Sequence, residues 1–171
     1  MSGASAHIRE YETSDLERCR ELWRSLTQRH RDIYRDPSIG GDDPGLELDA
    51  HLAHPRLVKL WVAEIDGRVV GLCGLLLQGE ESELEPIVVD PAWRGRRVGA
   101  ALAQHAIGAS QRLGVKFVNV RPVGRNVEAI RFFQREGFRL LGRLELSLQL
   151  GGSAIAEPGR SVDVHGIRFA F

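Results

Sequence analysis

Cysteine is scarce in this chain of 171 residues, with Cys19 and Cys73 its only two. Cys19 falls on the apolar stripe of a helix and Cys73 inside a strand, so both read as small buried hydrophobes. A disulfide framework is excluded, and neither cysteine has metal-ligand spacing. Lysine is equally rare: arginine carries nearly all the positive charge, beside Lys59 and Lys116 alone. An excess of one sign is also missing. Basic and acidic side chains number 23 each, and a neutral chain gives no general reason to seek nucleic acid or an acidic membrane as partner. The longest apolar run, Val69 to Leu77, is far short of a membrane span. The first residues carry Arg9, Glu10, Glu12 and Asp15 where a secretion signal would be apolar. A cytoplasmic protein with no membrane partner is the expectation. An apolar content of 43% suits one domain over residues 1–171 with a single substantial core.

Ile8 to Tyr11 reads as an opening strand. Ser14 and Glu17 have the spacing of a capping box, and Leu16, Cys19, Leu22, Trp23 and Leu26 recur at helical intervals. That pattern leaves Glu17, Arg18, Glu21 and Arg24 facing water. The turn residues from Asp36 to Gly45 predict a loop, followed by a short helix over Leu46 to Ala53. His51 and His54 stand three apart on it, which could begin a metal site, but no third ligand is evident. Asp66-Gly67 between Leu60–Ile65 and Arg68–Leu77 is a hairpin signal. Glu83 to Val89 follows as a strand, Val98 to Leu113 as a long helix closed by Gly114, and Phe117 to Val120 as another core strand. Val127, Ile130, Phe132 and Phe133 mark a further helix, stopped at Gly137. Leu144, Leu146, Leu148 and Leu150 alternate with polar residues and predict a strand with one core face. Gly151-Gly152 and Pro158-Gly159 bound a connection to a last strand, Ile167 to Phe171, expected as the return half of a hairpin.

The stretch from Val88 to Ala100 runs from an apolar strand through Asp90-Pro91 into Trp93-Arg94-Gly95-Arg96-Arg97-Val98-Gly99-Ala100. This is a phosphate-binding layout. The first turn of a helix leaves backbone N–H groups without partners and carries the positive end of the macrodipole, so small residues there let a pyrophosphate approach the main chain. Arg94, Arg96 and Arg97 add charge that would otherwise repel the helix's own positive end. Downstream come Asn126, Ala129, Phe132-Phe133 and Gly137-Phe138.

These two motifs, in this order, resemble the acyl-CoA signature and the Asn-x-x-Ala helix ending in Gly-Phe of the GNAT superfamily of N-acetyltransferases. Arg97 stands where the first glycine of that signature is most often found. The resemblance implies an α/β fold of α+β type: a mixed, mostly antiparallel central sheet with helices on both faces and a splayed pair of parallel central strands, Glu83–Val89 and Phe117–Val120. It implies acetyl-CoA as cosubstrate, without a metal. Backbone groups of Ile87, Val88 and Val89 would pair with the pantetheine arm, and those from Arg96 through Val98 and Gly99 to Ala100 would cradle the pyrophosphate. Arg94, Gly95 and Arg97 would border the pyrophosphate, with Asn126 and Phe133 near the cofactor. Asn126 also reads as a simple helix cap.

An acceptor amine is protonated at neutral pH and must lose a proton to attack a thioester. Glu85 and Glu83 are the candidate bases, and they read equally well as surface charges. Many members of the superfamily carry a tyrosine where Phe133 stands; the acid for the departing thiolate would then be water, Tyr34 or none. Asp36, Asp42, Asp43 and Glu47 would favour a cationic acceptor, a small amine or a protein N-terminus. The reading is direct transfer in a ternary complex, since two buried cysteines give little support to a covalent intermediate. The alternative is an acyl-CoA-binding sensor or regulatory module with little or no transferase activity. Exposed sheet edges are compatible with a homodimer.

Overall fold

A computed structural model describes residues 5–148, 150 and 161–170, and the chain divides into two compact units, Met1–Arg121 and Pro122–Phe171. In the first unit the strands β1 (His7–Glu10), β2 (Leu57–Ile65), β3 (Arg68–Gln78), β4 (Glu81–Val89) and β5 (Phe117–Asn119) form one sheet in sequence order. The helices α1 (Leu16–Tyr34) and α2 (Glu47–Leu52) precede β2, and α3 (Val98–Arg112) lies between β4 and β5. All pairings are antiparallel except β4 with β5. The expected mixed, mostly antiparallel sheet is therefore found.

The β2–β3 hairpin turns at Asp66-Gly67, both with positive φ, as a two-residue turn between twisted strands demands. Cys19 and Leu22 of α1 and Leu48 of α2 pack with Leu60, Val62, Leu72 and Val88 on one face of the sheet. On the other face α3 buries Val98, Leu102, Ala103 and Ala106. A Cβ at Gly71 would lie 2.9 Å from the Leu102 side chain, so the absence of a side chain here lets α3 pack closely on the sheet. Both cysteines are fully buried and free, and burial pushes each thiol up to about 12.

Two local expectations are corrected. The capping box is Glu12 with Asp15, around the 3-10 turn Thr13–Asp15 that leads into α1: the Asp15 carboxylate accepts from the Glu12 N–H at 2.9 Å, and Glu17, expected to pair with Ser14, instead pairs with Arg20. Asp15 wins because Arg9 holds both its oxygens from β1. Arg18 does not face water: it donates to the Val69 carbonyl and to the Asp90 carboxylate, tying α1 to the start of the loop that leads into α3.

In the second unit α4 (Val127–Arg135) is capped by Asn126, whose side-chain oxygen accepts from the Ala129 N–H at 3.1 Å. It ends before Gly137, which has positive φ. The strands β6 (Ser161–Val164) and β7 (Ile167–Ala170) form a hairpin through His165-Gly166. The alternating leucines do not make a strand among the described residues: Leu144, Leu146, Leu148 and Leu150 are exposed. The hairpin partner of β7 is Ser161–Val164 rather than this segment. Gln149, Gly151-Gly152, Pro158-Gly159 and Phe171 lie outside the described residues.

Candidate active site on the fourth strand

The parallel pairing of β4 with β5 covers only Glu81 to Glu83 against Phe117 to Asn119. From Leu84 to Val89, β4 pairs with β3 alone among the described residues. The two strands part immediately after Glu83, and among the described residues one edge of the main chain of Ile87, Val88 and Val89 has no strand neighbour.

A bulge reinforces this parting. Cys73 faces Ile87 while Leu75 faces Leu84, so Glu85 and Pro86 both stand opposite Gly74. A Cβ at Gly74 would lie 2.3 Å from the Glu85 carbonyl oxygen and 3.1 Å from His51 Nε2. Glycine is the residue that admits the bulge. His51 is buried on α2, with its ring 5.2 Å from Trp23 and 6.3 Å from His54. Its Nε2 has no hydrogen-bond partner, the Glu85 carbonyl being nearby without the geometry of a bond. Burial lowers the His51 pKa, against the opposing pull of Glu85.

The two candidate carboxylates differ sharply. Ser82 bonds Ser110 on α3 at 2.9 Å, so Glu83, its neighbour along the strand, points to the opposite face. There it is only 4% exposed. Arg121, just beyond β5, donates from Nη1 to Glu83 Oε2 at 2.6 Å. Burial raises the Glu83 pKa; Arg121 and Arg56 pull it down, and Glu85 pushes it up. Glu85 is exposed. Glu83 is thus the carboxylate enclosed at the fork of the strands.

At the far end of β4, Asp90 accepts from the Ala92 N–H at 2.9 Å and starts the turn Pro91–Trp93. Gly95 and Arg97 have φ of 75° and 63°, which wraps the loop onto the start of α3. Arg97 occupies the left-handed position that glycine would fill at lower cost. The first intrahelical donor is Ala101, to the Arg97 carbonyl, so the N–H groups of Val98, Gly99 and Ala100 have no helical acceptor. Arg94, Gly95, Arg96 and Arg97 are exposed around them, and nothing lies within 4 Å of a Cβ at Gly95. A set of unpaired donors with guanidinium groups beside it fits a pyrophosphate. Arg96 also lies over the Trp93 ring, 4.8 Å from its centroid.

The loop acids are largely committed within the chain. Asp43 is held by Arg24 through two bonds, Asp36 by Ser38, and Glu47 accepts from Trp23 Nε1. Tyr34 closes α1. In the second unit Phe133 is 7% exposed and packs edge-on against Phe132 and Phe138; Asn126 serves as the helix cap described above. No group of three His, Cys, Asp or Glu residues suited to a metal occurs among the described residues, and no described helix is long and apolar enough to cross a membrane.

Two residues of this region were not singled out for their part in it by the sequence. Arg121 meets Glu83 from 38 positions away through a parallel pairing that periodicity does not reveal. His51 drew attention only for its spacing to His54; no sequence signal marks its approach to the bulge.

This arrangement is accompanied by a match to the acetyltransferase (GNAT) family over residues 17–138, and the chain belongs to that family. It is 33% identical over 101 residues to a mycothiol acetyltransferase of Sanguibacter keddieii, covering 54% of this chain and 32% of that protein. It is 34% identical over 88 residues to the peptidyl-lysine N-acetyltransferase YjaB of Salmonella typhimurium, covering 51% and 54% respectively. The chain thus spans between about a third and about half the length of these relatives. Among solved structures, a GNAT-family acetyltransferase from Staphylococcus aureus Mu50 superposes with TM-score 0.65 at 22% identity, over 87% of this chain and 94% of that one. The aminoglycoside N-acetyltransferase AAC(6')-Iy in complex with CoA superposes with TM-score 0.64 at 20% identity, over 87% and 97%. These neighbours share the fold.

Proposed function

We propose that this protein is an N-acetyltransferase that moves the acetyl group of acetyl-CoA to a primary amine by direct transfer, in one domain. The observation that carries this reading is the layout of β4, which has an enclosed carboxylate at the fork and, beyond the bulge, a main-chain edge leading to an arginine-rich helix start. Its membership of the family points the same way. Acetyl-CoA supplies the acetyl group as an activated thioester. The main chain of Ile87, Val88 and Val89 holds the pantetheine arm, and an N–H near Val88 or Val89 stabilises the charge that develops on the acyl oxygen. The N–H groups of Val98, Gly99 and Ala100 bind the pyrophosphate, with Arg94, Arg96 and Arg97 balancing its charge.

Glu83 is the base in this reading. Burial raises its proton affinity above that of a carboxylate in water, which suits a proton acceptor. Glu85, exposed two residues further on, attracts the cationic amine. The acceptor in this reading is a small amine or a protein N-terminus; the relative YjaB is named for a different amine, peptidyl lysine. A second reading, a module that binds acyl-CoA without turnover, is favoured by Phe133, which offers no hydroxyl to protonate a leaving thiolate.

Mass spectrometry after incubation with acetyl-CoA and a panel of polyamines, amino acids, aminoglycosides and short peptides tests the two. An acetylated product, lost in Gly99→Val together with most acetyl-CoA affinity, is the expected result. Tight acetyl-CoA binding with no product from any amine supports the second reading, and unchanged affinity in Gly99→Val removes the pyrophosphate site.

A further inference from the structure

The carboxylate at the fork is not left to find its own position. Glu83 pairs in register with Asn119, the last residue of β5. Two residues on, Arg121 reaches back across the parted strands to Glu83 Oε2. The pair is lopsided: the Glu83 side chain is 6% accessible and that of Arg121 is 53%. Asn119 meanwhile donates to Glu81 Oε2 at 3.0 Å, so Glu81 has a partner of its own. Arg56, which also acts on Glu83, is engaged with Gln78 at 2.6 Å. Arg121 is therefore the cation in direct contact with the candidate base.

We infer that Arg121 is a positioning residue: its guanidinium fixes Glu83 Oε2 at the fork of β4 and β5 and turns the other carboxylate oxygen toward the acceptor amine. This rests on the transferase reading above. The proton leaves the ammonium nitrogen of the acceptor and bonds to Glu83 Oε1, giving a neutral amine and a neutral carboxylic acid; after transfer it passes to solvent and the carboxylate is restored. Arg121 has two effects on this step. It holds the acceptor oxygen in one orientation, as a base requires. It also opposes burial, which by itself favours the protonated form of Glu83.

The groups that act on Glu83 are Arg121 beyond β5, Arg56 before β2 and Glu85 on β4 itself. Removing the cation of Arg121 leaves burial and Glu85 to raise the Glu83 pKa further. The acid limb of kcat/KM must then move to higher pH. Arg121→Gln is expected to shift the Glu83 titration midpoint, read by carbon-13 NMR of the carboxyl and assigned by its loss in Glu83→Gln, upward by about one pH unit or more. The acid limb moves with it, and Arg121→Lys recovers most of the shift. A midpoint that does not move in Arg121→Gln overturns the inference, and so does a moved midpoint with an unmoved limb. Should Arg121→Gln not fold, Arg121→Lys supplies the reading: with the cation kept and the planar fork lost, kcat falls while the midpoint stays close to that of the native protein, and an unchanged kcat overturns the inference. The titration needs no acceptor. A shifted midpoint in a protein that acetylates nothing therefore overturns the transferase reading and supports the pairing of Arg121 with Glu83.

Discussion

The strand β3 and the segment from Arg139 to Leu148 are both rich in leucine, and they end in opposite environments. Leu72, Leu75 and Leu76 of β3 are essentially inaccessible to water, whereas Leu144, Leu146 and Leu148 are 53%, 66% and 84% exposed. Periodicity ranks them the other way round. The segment alternates cleanly, as a half-buried strand should, while Val69 to Leu77 shows no alternation at all. The difference is one of partners. β3 lies between β2 and β4, with α1 and α2 packed on one face and α3 on the other, so the strand is buried from Val69 to Leu76. The segment has no strand partner among the described residues. Alternation describes what a strand could bury, and a ladder is needed before it buries anything.

The same substitution on the two sides sharpens this contrast. Leu72→Ala removes a fully buried side chain at the meeting point of α1, α2 and the sheet, and is expected to cost about 2–5 kcal/mol of stability in chemical denaturation. A smaller loss, within the range of surface changes, would mean that the core relaxes around the site. Gly74→Ala comes next. Its Cβ would stand 2.3 Å from the Glu85 carbonyl oxygen, a backbone atom that cannot swing aside, so an expected cost of about 1–3 kcal/mol arises from strain rather than a cavity. Since the bulge must shift to admit the methyl group, catalytic activity is expected to fall while the midpoint of a Leu72-type loss is not reached. Denaturation curves and acetylation rates measured on one preparation separate the two costs.

Much of the fold was open to reading along the chain because its signals are local. Asp66-Gly67 announces its hairpin through residues that tolerate positive φ, and the stripe from Leu16 to Leu26 announces α1. The loop into α3 is equally legible, since glycines, arginines and a helix start lie within a dozen residues. What could not be read is whatever depends on distant partners. Glu83 looks like the exposed beginning of a charged strand until β5 and Arg121 close over it. Asp36, Asp43 and Glu47 look available to a cationic acceptor until Ser38, Arg24 and Trp23 engage them, whereas Asp42 stays exposed. Gly74 carries no sequence mark of its role, because the bulge it admits belongs to the next strand.

The smallest expected effect tests the exposed side of the comparison. Leu148→Ala changes a side chain that is 84% exposed and leaves no cavity, so its cost is expected to stay within about 0.5 kcal/mol. Leu148 takes part in no ladder here, and truncating it removes only surface that water already covers. A loss comparable to that of Leu72→Ala would break the comparison: it would mean that in solution the alternating leucines acquire a partner, either an edge of this sheet or a second copy of the chain. Dependence of that loss on protein concentration tells the two apart, because association of two chains stabilises by mass action and pairing within one chain does not.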